Sequence, residues 1–160
     1  MKNGFSLLGA VAALSLMLTP AVAEEGENVT ALTADSLAQF LDAEDISYTL
    51  EADDVGDPKF SIDYYGIEFK VFYYGCRDNV DCDAIQFYSG YDLNGGMRLS
   101  KINTWNTENR FSRAYISDEG SVWIEHDVLL GQHGLHPDDF AQTIGAWAGV
   151  LKEFEEFIGW

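Results

Sequence analysis

Polar and apolar residues change period along this chain, and each change marks an element. Leu37, Phe40 and Leu41 fall on one face at helical spacing, behind a capping Thr33 and with Asp35 in the first turn, where a carboxylate suits the helix dipole. The spacing predicts a helix that ends near Ala43 to Asp45. The period then drops to two. Ile46, Tyr48 and Leu50 alternate with Ser47, Thr49 and Glu51, and Phe60, Ile62 and Tyr64 alternate with Ser61 and Asp63. After Tyr65-Gly66 the alternation resumes through Ile67, Phe69, Val71 and Tyr73. Such alternation describes strands with one face in a core. Residues 53–58 form a turn cluster, and the two-residue break containing Gly66 is a hairpin signal. Ile85, Phe87 and Tyr91 mark a fourth strand, which Asn94-Gly95-Gly96 ends.

Met97 to Asn109 reads as a short helix with Leu99, Ile102 and Trp105 as its packing stripe. Two strands follow, from Arg113 to Ser117 and from Val122 to Leu129, around a turn at residues 118–121. The last helix is the clearest. Pro137 takes its first position, Asp138 and Asp139 its first turn, and Phe140, Ile144, Trp147, Leu151, Phe154 and Ile158 its buried stripe. Glu153, Glu155 and Glu156 oppose the dipole at its end and predict fraying there. The expected fold is α+β: one antiparallel sheet, helices on one of its faces, and the element order α-β-β-β-β-α-β-β-α.

The first residues follow a different logic. Lys2, an apolar run from Phe5 to Leu18, and Ala21-Val22-Ala23 appear in the order of a secretory signal. The run is shorter than the ~20 residues that span a bilayer. We therefore expect residues 1–23 to be removed, residues 24–31 to be a frayed mature terminus, residues 32–160 to form one domain, and no stable membrane anchor to remain. Export, with the periplasm as the destination, is the corresponding expectation.

Charge narrows the partners. The chain carries 27 acidic and 9 basic residues, a formal net charge of −18. Every acidic residue lies beyond residue 23, so cleavage would remove only the positive Lys2. Such a surface repels phosphate backbones and argues against nucleic acid. Cationic peptides, metal ions and basic protein patches remain open, and solubility alone is the simpler explanation. Cys76 and Cys82 are the only cysteines. In an oxidising compartment they are expected to form a structural disulfide, with a free or metal-bound pair as the alternative. Closing that seven-residue loop limits the unfolded state by about 2.4 kcal/mol at most.

One set of residues carries a resemblance. Asp57, the Tyr73-Tyr74-Gly75-Cys76 turn with Cys82, and Ile85-Gln86-Phe87 precede a longer motif. That motif runs Asn103-x-Trp105-Asn106, Arg110-Phe111, Ala114-Tyr115 and then Asp118-x-Gly120. In these residues the chain resembles the YbjN-type family, which is linked to bacterial sensory transduction, over about residues 32–158. The resemblance implies a shape like that of type III secretion chaperones. It brings no catalytic residues, and shape alone implies no chaperone activity. The family takes its name from a protein that looks cytoplasmic, so the export signal is a departure.

Asn103, Asn106 and Arg110 are spaced three and four apart, so amides and a guanidinium could form one recognition face on the middle helix. The simpler alternative has Trp105 and Phe111 packing while the polar groups tie the helix to its neighbours. His126, His133 and His136 near Glu125 and Asp127 could hold zinc or copper, but their spacing is not that of a helical pair, and His136 is placed to cap the last helix. Asp78, Asp81 and Asp83 lack the calcium-loop pattern and read as a solvated turn. No nucleophile elbow, cofactor loop or metal box is present, so neither an enzyme nor a cofactor is expected. Glu125 and Asp127 alternate on one strand and share a face opposite His126. Phe72, Tyr74 and Tyr88 are out of phase with the core stripe Val71, Tyr73 and Phe87. They predict an aromatic patch unless helices cover both faces. The expected function is non-catalytic: contact with a peptide, protein, small ligand or second copy of the domain through the sheet or the middle helix. A small metal- or ligand-sequestering protein is the alternative.

Overall fold

The computed structural model describes residues 27–160. The expected signal at residues 1–23 and the cut after Ala23 lie outside the described residues. The observed order is α1 (Ala34–Ala43), β1 (Ser47–Ala52), β2 (Pro58–Tyr64), β3 (Ile67–Tyr74), β4 (Ala84–Tyr91), α2 (Leu99–Glu108), β5 (Arg113–Ile116), β6 (Val122–Leu129) and α3 (Pro137–Ile158). This is the expected α+β order.

The six strands form one sheet in the order β1-β2-β3-β4-β6-β5, and every neighbouring pair is antiparallel. Tyr65 and Gly66 both take positive φ, the geometry of a two-residue hairpin that matches strand twist. The order inverts at the end of the sheet because α2 carries the chain past β4. The eight residues of β6 then pair along all of β4, from Ala84↔Leu129 to Tyr91↔Val122, and the four-residue β5 is left at the edge. A short strand is the safer edge, since it exposes few unpaired backbone groups.

The core lies on one sheet face. Phe60, Ile62, Phe69, Val71, Tyr73, Ile85, Phe87, Tyr91, Val122 and Ile124 are buried there against Phe140, Ile144, Trp147, Leu151 and Phe154 of α3. Phe69 and Phe87 meet Trp147, Phe40 of α1 meets Phe140, and Trp105 of α2 meets Phe154 and Phe157. All three helices thus stack on the same side, as expected for an antiparallel sheet with one apolar face.

Local details correct several expectations. Residues 28–31 are not frayed. Val29 and Ala31 are buried, and Val29 exchanges backbone hydrogen bonds with Leu135. Thr30 N–H donates to Ser36 Oγ, and Ala31 O accepts from Cys82 N–H. Gly134 permits this docking: a Cβ there would lie 2.2 Å from the Val29 carbonyl oxygen. Burial of two apolar side chains outweighs the polar look of the segment. The end of α3 is also ordered. Gly159 takes φ 79 and its N–H bonds Glu155 O, while Tyr91 Oη donates to Glu155 Oε1 at 3.1 Å. Capping and one long-range bond offset the adverse dipole. Thr33 sits at the N-cap of α1 without a side-chain bond. Leu99, expected to pack, is 74% exposed at the first turn of α2, where it faces no neighbouring layer.

Cys76 and Cys82 are joined by a disulfide across the β3–β4 turn. Arg77 pairs with Asp81 and Asp83, so the acidic turn is held by its own cation.

Candidate functional site

The second sheet face carries the side chains that alternate with the core. Cross-strand register sets them in rows. One row runs Glu51, Lys59, Phe72, Gln86 and Asp127. The next runs Thr49, Ser61, Lys70, Tyr88, Glu125 and Arg113. Tyr74, Ala84 and Leu129 form a third. Among the described residues no helix stacks over these rows; α2 reaches only the β5 edge. Two open depressions, ≈ 530 Å³ and ≈ 830 Å³, lie along the face, and Tyr88 lines both.

Aromatic contacts make the floor continuous. Phe72 meets Tyr88 edge-on at 5.4 Å, and Tyr88 stacks on Trp123 at 4.8 Å. Tyr88 and Tyr115 join through their hydroxyls at 3.2 Å. Phe72 and Tyr88 are half-buried by each other and by their strand neighbours, and Tyr74 is 48% exposed. Phe72, Tyr74 and Tyr88 thus share the open face, with Phe72 and Tyr88 in contact and Tyr74 the most exposed of the three. The sequence reading omitted three neighbours: Trp123, Tyr115 and Leu129. Their positions on β5 and β6 alternate in the same way, but the strand order that brings β6 beside β4 cannot be read from spacing.

Polar groups on this face are mutually ordered. Gln86 Nε2 donates to Asp127 Oδ1 at 2.7 Å, and Tyr74 Oη donates to Gln86 Oε1 at 3.3 Å. Arg113 donates to Glu125 Oε1 from Nε at 2.6 Å and also from Nη2. Glu125 is only 5% exposed although its strand face is open, because the Arg113 side chain and the aromatic floor cover it. Asp127, two residues along, remains exposed. The carboxylate of Glu125 raises the Arg113 pKa, first through its hydrogen bonds and then through its charge, so this guanidinium stays protonated. Burial raises the Tyr74 and Tyr88 phenols; the charges of Glu125 and Asp127 add to the shift at Tyr74, and the bond to Tyr115 adds at Tyr88. These phenols are neutral hydrogen-bonding groups near neutrality.

The middle helix does not form the candidate recognition face; it follows the simpler alternative for Trp105 and Asn106. Trp105 is buried and its Nε1 donates to Ser112 Oγ at 3.1 Å. Asn106 pairs with the edge strand twice: its Nδ2 donates to Ala114 O and its Oδ1 accepts from Ala114 N–H. The amide thereby satisfies one backbone residue of β5 as a further strand would. Asn103 is exposed on α2, whereas Arg110 lies past the C-cap Asn109 and off the helix. Spacing of three and four brings residues together only while the helix continues, and here it stops at Glu108. Phe111, expected to pack, is 68% exposed with φ 58 and sits at the edge of His126.

The histidines do not converge. His126 lies on the core face against Phe87 and Trp147, while His136 caps α3 by accepting from Asp138 N–H. Burial lowers the His126 pKa, and Asp127 partly opposes this.

A model of the YbjN family, described as "Putative bacterial sensory transduction regulator", matches residues 33–160. No curated protein matches the chain. The match spans α1 to the C-terminus and includes every strand that builds the open face. The chain belongs to the YbjN family.

Proposed function

We propose that this chain is an exported, non-catalytic binding module of a regulatory family, and that it takes its partner on the open sheet face. One observation carries the reading. Among the described residues, a six-stranded sheet has all three helices on one side and a linked aromatic floor, Phe72–Tyr88–Trp123, on the other. A contiguous aromatic floor left half-exposed in this way is typical of contact sites. The family description as a regulator supports a role without chemistry. So does the local pairing of Tyr74 with Gln86, Gln86 with Asp127 and Arg113 with Glu125. The basic-apolar-small order of residues 1–23 and the Cys76–Cys82 bond support export.

The test is capture from the native envelope fraction by purified mature protein, with self-association followed in parallel. The paired changes Phe72→Ser and Tyr88→Ser should abolish capture or self-association with the circular dichroism spectrum preserved. Tyr74→Ser and Leu129→Ser alter more exposed positions and keep the test valid if the first pair unfolds. Undiminished capture by folded variants of both pairs would refute the reading. Metal analysis of native protein separates it from a sequestering role.

A further inference from the structure

We propose that the occupant of this face is a basic peptide segment, with an arginine or lysine side chain seated at Asp127. The inference rests on the binding reading above and supplies the chemistry of the partner. It starts from an asymmetry between two carboxylates. Glu125 and Asp127 stand on the same face of β6. Glu125 already holds a guanidinium, that of Arg113. Among the described residues, no cation forms a salt bridge with Asp127; its one hydrogen-bond partner is the Gln86 amide, and Arg113, already bonded to Glu125, meets its charge only at longer range.

The surroundings of Asp127 suit a long cationic side chain. Leu129, 82% exposed, follows it on the strand. Phe72 and Tyr74 stand across β4 on the other side of Gln86 and Ala84. Arginine and lysine need an apolar surface for the stem and an acceptor or ring for the head. Lys70, in the next row, stands two strands away and two residues along, about 12 Å at ordinary strand spacing, and the lysine in the same row is Lys59. It stands three strands away, about 14 Å at ordinary strand spacing, and is engaged by Glu51 at 3.0 Å. Over the whole face, Glu51, Asp63, Glu68, Glu125 and Asp127 outnumber Lys59, Lys70 and Arg113. The chain's net charge of −18 adds long-range attraction for a basic segment. The Arg113–Glu125 pair shows, within the same face, the interaction a partner's arginine would repeat two residues along.

The experiment uses the folded chain with N-acetyl tri-arginine amide and its neutral isostere, N-acetyl tri-citrulline amide, as probes, at two salt concentrations. Asp127→Asn keeps an acceptor for Gln86 and removes the charge. It should weaken tri-arginine binding about tenfold, as loss of a charge-assisted pair does. Asp139→Asn, on the helix side, removes the same charge and should change binding less than about twofold. Tri-citrulline should not bind. Equal losses from Asp127→Asn and Asp139→Asn would mean diffuse attraction and overturn the proposal. So would absence of tri-arginine binding. Equal binding of tri-citrulline that is lost in Tyr74→Ser would also overturn it, while leaving the open face intact as a binding surface.

Discussion

The ring of Trp123 lies directly over Gly90. A Cβ built on Gly90 would stand 1.9 Å from Trp123 Cζ3. The two residues are cross-strand partners on β6 and β4, and the ring then stacks on Tyr88. The glycine is thus a space into which the aromatic floor folds. An aromatic side chain covering a strand glycine restores the packing that the glycine lacks. Gly90→Ala should therefore displace the indole. We expect a loss of about 1–3 kcal/mol, as overpacking costs, and a change in near-ultraviolet circular dichroism. An unaltered spectrum and denaturant midpoint would show that the ring does not occupy this space.

Trp105 anchors α2 by burial and not by recognition. It packs on Phe154 and Phe157 and is 2% exposed. Trp105→Ala should cost about 3–5 kcal/mol, read as a shift in denaturant midpoint. A cost below about 1 kcal/mol would place the side chain at the surface.

His126 should make stability depend on pH. Burial between Phe87 and Trp147 lowers its folded pKa below the ordinary 6.5, against a smaller opposing effect from Asp127. The folded state then binds fewer protons than the unfolded state in the window between the lowered value and 6.5. Stability is full above that window and falls as pH drops through it. The comparison is the midpoint of His126→Phe against the parent across this range. The variant should lose this part of the slope, and a parallel slope would assign it to other groups.

The Cys76–Cys82 bond closes the turn whose backbone receives the N-terminal segment, since Cys82 N–H bonds Ala31 O and Asp81 N–H bonds Leu32 O. Thiol titration of unfolded, unreduced protein from its native compartment should find no free thiol. Cys76→Ser with Cys82→Ser should lower stability by up to about 2.4 kcal/mol. It should also raise hydrogen exchange at residues 28–32 more than elsewhere. Uniform exchange would uncouple the bond from that segment.

Much of this was legible in the chain because period is a local property. Alternation at Phe60, Ile62, Phe69, Val71 and Tyr73 and the 3–4 spacing of Phe140 to Ile158 identify the elements and their buried sides, since each residue's direction follows from its neighbours. The out-of-phase Phe72, Tyr74 and Tyr88 were visible for the same reason. The burial of residues 28–31 is not legible locally, because it depends on Leu135 and Gly134, more than a hundred positions away. Arg110 was misplaced because a helix end depends on what the following strand needs, not on spacing.

The sequence by itself determined the element order, the α+β class and most of the core stripe, which follow from local pattern, and it left each cysteine one available partner. Only the tertiary structure decided that β6 inserts beside β4. That placement sets Trp123 over Gly90, Asp127 beside Gln86, and Glu125 beneath Arg113. Strand order is settled by which long edges bury the most surface once the helices are packed. No single segment contains that comparison, so the open face emerged only in the assembled sheet.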